Sequence, residues 1–156
     1  MRRPGFAVLR YDEVAKTVII EKLSNVDNKK SRKSHGEMLS EVFDELFCTV
    51  TYASELSKRL KCDLVLVRER GFSRFAAETQ ALYKTIGIAD YIAWKSGLPF
   101  SELSPMTIKK LVTGNAKAKK DEVASALDHY VGKRLYDCDD ESDAVAVGIA
   151  WLIEHK

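Results

Sequence analysis

The feature that most constrains the fold is a short apolar run, Leu64–Val67, that lies between two long stretches with helical periodicity. Uninterrupted apolar runs of this length are typical of strands that are covered on both faces. The sequence therefore predicts a strand from Asp63 to Arg68. Helical stretches on both sides of such a strand favour an α/β layer architecture, a small mixed sheet flanked by helices.

Apolar spacing and turn residues predict the remaining elements. Strands over Gly5–Tyr11 and Thr17–Leu23 are expected to form an antiparallel hairpin with a turn at Tyr11–Glu13. The stretch from Ser34 to Leu60 is expected to be one amphipathic helix, and Glu37 three residues after Ser34 predicts a capping box. The other predictions are a loop over 25–33, a helix over 73–95 ending at Gly97, a strand over 100–103, a helix from Ser104 and Pro105 through Val112, a loop over 113–117, and helices over 120–130 and 140–154.

Composition indicates a folded protein with a core of its own. The chain has 156 residues, of which 46% are apolar and 31% charged, and this favours one domain over residues 1–156. No apolar run approaches the roughly 18 residues of a membrane span, so no membrane contact is expected. Cys48, Cys62 and Cys138 are far apart and form no CxxC motif, which is typical of reduced thiols in a cytoplasmic protein.

An acidic run, Asp137–Asp143, opens the last apolar helix, and five of its seven residues are acidic. Asp140 and Asp143 are three residues apart, so on a helix both carboxylates project from one face. Such a pair on a rigid helix suits a hard divalent cation. Acids are also favoured at helix N-termini, as caps and as partners of the helix dipole, so the run by itself leaves both interpretations open.

Charges are segregated along the chain although the formal net charge is only +2. Basic residues dominate the stretch that precedes the acidic run: Lys109, Lys110, Lys117, Lys119, Lys120, Lys133 and Arg134, against Asp121, Glu122 and Asp128. A basic stretch beside an acidic cluster is what an enzyme acting on a polyanion through bound metal needs. A solvated charged surface is the alternative interpretation.

One further acid, Glu69, follows the apolar strand directly. Open α/β sheets place their chemistry at the carboxyl ends of strands, so this position favours a functional role. The alternative is an exposed strand-end acid that pairs with Arg68 or Arg70.

Three segments, in this order and spacing, resemble the RuvC family of Holliday junction resolvases, in a form like those of bacteriophages and related bacterial elements. They are Leu66–Phe72, Ser104–Val123 and Asp140–Ala150. The resemblance covers nearly the whole chain, from Pro4 to the C-terminus. It implies a ribonuclease-H-like fold, a homodimer, and cleavage of four-way DNA junctions in the cytoplasm, that of a bacterial host if the protein is phage-encoded.

The resemblance also implies roles for individual residues. Glu69, Asp140 and Asp143 match metal-binding catalytic carboxylates, which would hold two Mg²⁺ ions, with Mn²⁺ as a substitute. Lys109 and Lys120 match basic residues that approach the scissile bond, and Lys119 is an alternative to Lys120.

DNA contacts follow from the same resemblance. Phe72 occupies the place of an aromatic residue that stacks on opened junction bases, although Phe72 or Phe75 could equally anchor the following helix. The other expected DNA-binding residues are Arg70, Arg74, Lys110, Lys117 and Lys119.

The sequence departs from the family ahead of Pro4. The family has a first strand there that carries another metal-binding aspartate, and this strand is absent, so the domain is expected to be N-terminally incomplete. Asp12 and Glu13 fall on the far hairpin turn and are poor substitutes. The alternative to a junction-cutting nuclease is therefore a non-catalytic junction-binding protein. A third interpretation is another ribonuclease-H-like nuclease, one that processes RNA.

Overall fold

A computed structural model describes residues 4–27, 33–71, 76–133 and 136–155, without the side chains of 76–78. In chain order the elements are β1 (Gly5–Asp12), β2 (Thr17–Asn25), α1 (His35–Leu60), β3 (Leu66–Glu69), α2 (Ala76–Lys95), β4 (Phe100–Leu103), α3 (Pro105–Thr113), α4 (Lys120–Val131) and α5 (Asp139–Glu154). The α/β prediction is confirmed. Nowhere in these ranges does a helix have the length and apolar character of a membrane span.

The chain divides into two compact units. The first comprises Met1–Pro4, Asn25–Leu66 and Gly71–Ser101, and the second comprises Gly5–Ser24, Val67–Arg70 and Glu102–Lys156.

Helices α1 and α2 pack together in the first unit. The predicted capping box begins α1: the Glu37 N–H donates to Ser34 Oγ, and the Ser34 N–H donates to Glu37 Oε2 at 2.6 Å. The helix ends where Lys61 adopts the left-handed conformation, with φ of 54°. Its buried face consists of Val42, Leu46, Thr49, Val50, Ala53 and Leu56.

The core of the second unit is built around α5, which packs against β1, α3 and α4. As predicted, α3 begins after Ser104, whose Oγ accepts the Thr107 N–H at 3.1 Å. The helix extends to Thr113, one residue beyond the predicted end, and its C-cap is Gly114 with φ of 78°. The buried residues of this core are Leu103, Ile108, Val112, Ala118, Val123, Leu127, Val145, Ala146, Val147, Ile149 and Ala150.

Within the described ranges the strands form two two-stranded sheets, β1–β2 and β3–β4. In the second pair the Leu66 N–H donates to the Pro99 carbonyl at 2.9 Å, and the Arg70 N–H donates to the Leu103 carbonyl at 2.7 Å. Both positions advance by four residues, so the two strands are parallel. The strand predicted over 63–68 lies at Leu66–Glu69, because its backbone pairing begins only opposite Pro99.

Smaller differences concern element ends. The hairpin strand β1 extends to Asp12, and the turn occupies residues 13–16. The helix predicted over 73–95 is observed from Ala76, since residues 72–75 lie outside the described ranges, and α5 begins at Asp139 rather than Asp140. Cys48, Cys62 and Cys138 are free cysteines in the structure.

Candidate active site

The second unit brings Glu69, Lys120 and Asp143 together from three elements. Glu69 ends β3, Lys120 begins α4, and Asp143 lies in the second turn of α5. Lys120 Nζ donates to Asp143 Oδ2 at 3.0 Å, and the charges of Asp143, Lys120 and Lys109 all act on the Glu69 carboxylate. We call Glu69, Lys109, Lys120 and Asp143 the acid–lysine cluster. Four residues that the sequence analysis selected thus form one site.

Desolvation raises the pKa of Glu69 above its ordinary value, and the neighbouring charge of Asp143 raises it further. Lys120 and Lys109 oppose this rise but do not cancel it. The side chain still reaches solvent, so the desolvation comes from crowding by neighbouring protein groups and not from full enclosure. Two carboxylates held against each other at a strand end are a common sign of a functional site, because a bound cation would relieve their repulsion.

Lys120 is held in its charged form. Burial acts to lower its pKa, but the hydrogen bond to Asp143 and the charges of Asp143, Asp140 and Asp139 outweigh burial and raise it. The same interactions show that Asp140 and Asp143 both act on Lys120, as expected for residues one helical turn apart. Lys120, rather than its alternative Lys119, therefore carries the ammonium group that contacts the acids.

The N-cap position of α5 is occupied by neither Asp140 nor Asp143. Its N-cap residue is Cys138, which forms no side-chain cap bond. Instead Glu141, only 4% exposed, turns inward, and its Oε2 accepts the Asp137 N–H at 3.0 Å. This anchoring role of Glu141 was not predicted, although Glu141 has helical spacing with the fully buried Val145 and Ile149.

The beginning of β1 touches the same turn. A Cβ atom added to Gly5 would lie 2.2 Å from the carbonyl oxygen of Asp140 and 2.8 Å from the Glu141 nitrogen. Only a residue without a side chain therefore allows this close approach of the two backbones. Gly5 and the buried Glu141 fix the backbone that carries Asp140 and Asp143.

The alternative role of Glu69, as partner of Arg68 or Arg70, is disfavoured. Side chains alternate along a strand, so both arginines project from the face opposite Glu69. Glu102 on β4 binds both: its Oε2 lies 3.0 Å from an Arg68 guanidinium nitrogen, and its Oε1 accepts from Arg70 Nε at 2.9 Å. No role was predicted for Glu102, because its contacts depend on the pairing of β3 with β4.

The remaining predicted residues are placed as follows. Lys110, Lys117 and Lys119 are exposed on α3 and on the loop before α4. Phe72 and Arg74 lie outside the described residues.

Asp12 stabilises the hairpin turn, because its Oδ1 accepts the N–H groups of Val14 at 3.0 Å and Ala15 at 2.9 Å. The Ala15 N–H is the largest influence on its pKa, which lies below the ordinary value. The structure thus gives Asp12 a local structural role, in line with the expectation that it is a poor substitute for a metal ligand.

The donor chemistry of the site fits a hard divalent cation, since Glu69 and Asp143 offer carboxylate oxygens. Within the described ranges no three or more Asp, Glu, His or Cys side chains are arranged to hold a metal ion, so Glu69, Asp140 and Asp143 do not form a ready-made ligand set. Mg²⁺ is commonly bound through one or two carboxylates, with substrate phosphate and water completing the coordination. The pair is therefore compatible with a cation that binds together with a phosphodiester.

Comparison with known proteins agrees with this geometry. The family model for "Crossover junction endodeoxyribonuclease RuvC" matches residues 1–151. Among curated relatives of that name, the protein of Ehrlichia ruminantium (strain Gardel) is 26% identical over 126 residues, covering 81% of this chain and 74% of the relative. The protein of Brachyspira hyodysenteriae is 24% identical over 149 residues, covering 94% and 88%.

The fold agrees with solved RuvC structures as well. Thermus thermophilus RuvC in complex with a Holliday junction substrate superposes with a TM-score of 0.79 at 17% identity, covering 99% of this chain and 88% of that one. The predicted ribonuclease-H-like α/β fold is confirmed by this likeness. Because the family model covers nearly the entire sequence, the chain belongs to the RuvC family of crossover junction endodeoxyribonucleases.

Proposed function

We propose that this protein is a structure-selective endodeoxyribonuclease that resolves Holliday junctions and other branched DNA by metal-dependent phosphodiester hydrolysis. The observation that carries the proposal is the acid–lysine cluster, in which two carboxylates and two lysines converge at the end of β3. Family membership supports it, since the curated relatives are named crossover junction endodeoxyribonucleases and one solved relative holds a Holliday junction substrate.

Glu69 and Asp143, with Asp140, are the residues that would hold the metal. The proposed cation is Mg²⁺, with Mn²⁺ as a substitute, and two ions would occupy a complete site. When bound, such ions activate water and stabilise the leaving oxygen of a phosphodiester. The charges of Lys109 and Lys120 both act on Glu69, and positive charge at this place suits the negatively charged phosphate of the scissile bond.

A second candidate function is junction binding without cleavage. It is favoured by the absence, within the described ranges, of any group of three metal-binding side chains. The proposed DNA-binding surface is common to both functions, because it depends on the exposed Lys110, Lys117 and Lys119, together with Arg70. Phe72 and Arg74 remain proposed members of that surface.

Binding to a four-way junction is expected to be selective and electrostatic. Gel-shift titrations in EDTA should show tighter binding to a four-way junction than to a linear duplex of equal length. Affinity should fall steeply between about 50 and 200 mM salt, because each neutralised phosphate releases condensed counterions. The double substitution of Lys117→Ala and Lys119→Ala should reduce the salt slope by roughly 2, while Lys58→Ala and Lys84→Ala serve as the matched control. Equal affinity for both DNAs at every salt concentration would rule out junction selectivity.

We further propose that the protein acts as a homodimer, with an aromatic face on the first unit as the contact. This face consists of Phe43 and Phe47 on α1 and Tyr91 and Trp94 on α2. Ring centroids are 5.9 Å apart for Phe43 and Phe47, 6.4 Å for Phe43 and Tyr91, and 6.2 Å for Tyr91 and Trp94. Trp94 is 78% exposed, and contiguous exposed aromatic surface of this kind is typical of protein–protein interfaces.

Replacing Trp94 by Glu is expected to dissociate the dimer. Central tryptophans contribute about 2 kcal/mol or more to interfaces, and a carboxylate there would have to be desolvated. Light scattering coupled to size exclusion, over a range of protein concentrations under reducing conditions, would report the dissociation constant. Val14→Glu is the matched control, because Val14 is 96% exposed on the hairpin turn. A Trp94→Glu protein that dimerises as tightly as the parent would show that the interface lies elsewhere.

A further inference from the structure

Lys120 and Asp143 are 23 residues apart in the sequence, and their ion pair joins helices α4 and α5. Nζ of Lys120 lies 3.0 Å from Oδ2 of Asp143. The Lys120 side chain is 64% exposed and that of Asp143 is 35% exposed, so a hydrated cation from solvent can reach the pair. Asp143 is also the carboxylate whose charge acts on Glu69, so the ammonium group lies against the acid that the proposed metal site requires.

We propose that Lys120 is a built-in counter-ion that neutralises Asp143 until a divalent cation displaces it, and that the displaced ammonium group then becomes available to the DNA phosphate. This inference rests on the proposed function and adds to it a competition between one residue of the chain and the metal. Before metal binds, Lys120 therefore competes with the cation for Asp143. After its displacement, Lys120 can contact the phosphate of the substrate.

The electrostatics of the cluster favour such an exchange. Lys120 brings a single positive charge to a region where the charges of Asp139, Asp140 and Asp143 all act on it. A divalent cation brings two charges and can bind oxygens of more than one carboxylate, whereas the ammonium group donates to one oxygen of Asp143. Because the pair is accessible to solvent, the ammonium group is only moderately stabilised and can be replaced.

The first test is metal affinity in the absence of DNA. The Lys120→Met protein should bind Mn²⁺ about three- to tenfold more tightly than the parent, measured by electron paramagnetic resonance of free Mn²⁺ or by calorimetry, because both competition and like-charge repulsion are removed. Lys117→Met removes the same charge from the loop before α4 and should change the affinity less than twofold. Equal or weaker binding by Lys120→Met, or no binding by any of the proteins, would overturn the proposal.

The second test uses the unaltered protein, so it does not depend on the folding of a variant. Lysine acylation by an N-hydroxysuccinimide ester, read residue by residue by mass spectrometry, should be slow at Lys120 in EDTA and several-fold faster at saturating Mn²⁺. Lys117 should react at the same rate in both conditions. Unchanged reactivity of Lys120 at a Mn²⁺ concentration that saturates the protein would contradict displacement.

These measurements separate the inference from the proposed function. A protein that binds Mn²⁺ with exposure of Lys120 but cuts no junction would refute the nuclease and leave the displacement intact. A protein that cuts junctions while Lys120→Met binds Mn²⁺ no more tightly than the parent would refute the displacement alone.

Discussion

The Asp143→Asn protein is expected to lose metal-dependent junction cleavage by more than about 100-fold, since even residues that only support metal ligands cost 10- to 100-fold when altered. The Asp140→Asn protein is expected to show a similar loss of cleavage. Junction affinity in EDTA should be unchanged or higher, because one negative charge that repels phosphate is gone. Single-turnover cleavage of a four-way junction in Mg²⁺ and then Mn²⁺, with gel shifts on the same substrate, would measure both quantities.

The control for this experiment is Asp128→Asn, which removes an equal charge from an exposed position on α4. If Asp143→Asn cuts at the rate of the parent, the acids of α5 serve the helix terminus and the site assignment is wrong. If the parent binds junctions but cuts none in either metal, the non-catalytic alternative is correct.

The substitution Gly5→Ala is expected to destabilise the fold by about 1–3 kcal/mol, the usual cost of forcing an extra carbon into a packed region. The new Cβ would lie 2.2 Å from the Asp140 carbonyl oxygen, a backbone atom that no rotamer change can move. Either β1 or the acidic turn must shift. Thermal unfolding should therefore show a midpoint lowered by roughly 2–4 °C for each kcal/mol. Cleavage at a temperature where the variant is folded should also fall, because Asp140 is displaced.

Gly87→Ala is a control that is expected to change the free energy of unfolding in the opposite direction. Gly87 lies inside α2, and apart from its own helix no atom of the described residues lies within 4 Å of an added Cβ. Alanine there should stabilise the protein by about 0.5–1 kcal/mol, since glycine loses more backbone entropy in a helix. A Gly5→Ala protein as stable and as active as the parent would mean that β1 can separate from the turn at little cost.

Elements governed by local chemistry were predictable from the sequence. The capping box of Ser34 and Glu37 and the helix start after Ser104 each depend on a few adjacent residues, and both are observed. The beginning of β3 was not predictable in the same way. Leu64 and Val65 are as apolar as Leu66, but pairing begins only where Pro99 offers its carbonyl, and this depends on residues more than 30 positions away.

In the candidate site, too, some features were predictable from the sequence and others depend on the folded structure. Family resemblance selected Glu69, Lys109 and Asp143, and in the structure the charges of Asp143 and Lys109 act on Glu69. Their metal-binding and catalytic roles stay predictions. The choice between Lys119 and Lys120 stayed open because it depends on the helical phase of α4, which shifts by 100° for each residue.

Glu102 binds Arg68 and Arg70 in the free protein, and these ion pairs affect the number of phosphate contacts that the salt dependence of DNA binding reports. An arginine that already has a carboxylate partner must exchange that partner for a phosphate. Loss of the ion pair therefore offsets part of the binding free energy that the arginine–phosphate contact contributes. The carboxylate left behind then attracts a cation from solution, which cancels some of the counterion release. The salt dependence of binding should therefore report fewer phosphates than the protein touches, and Glu102→Gln should steepen it.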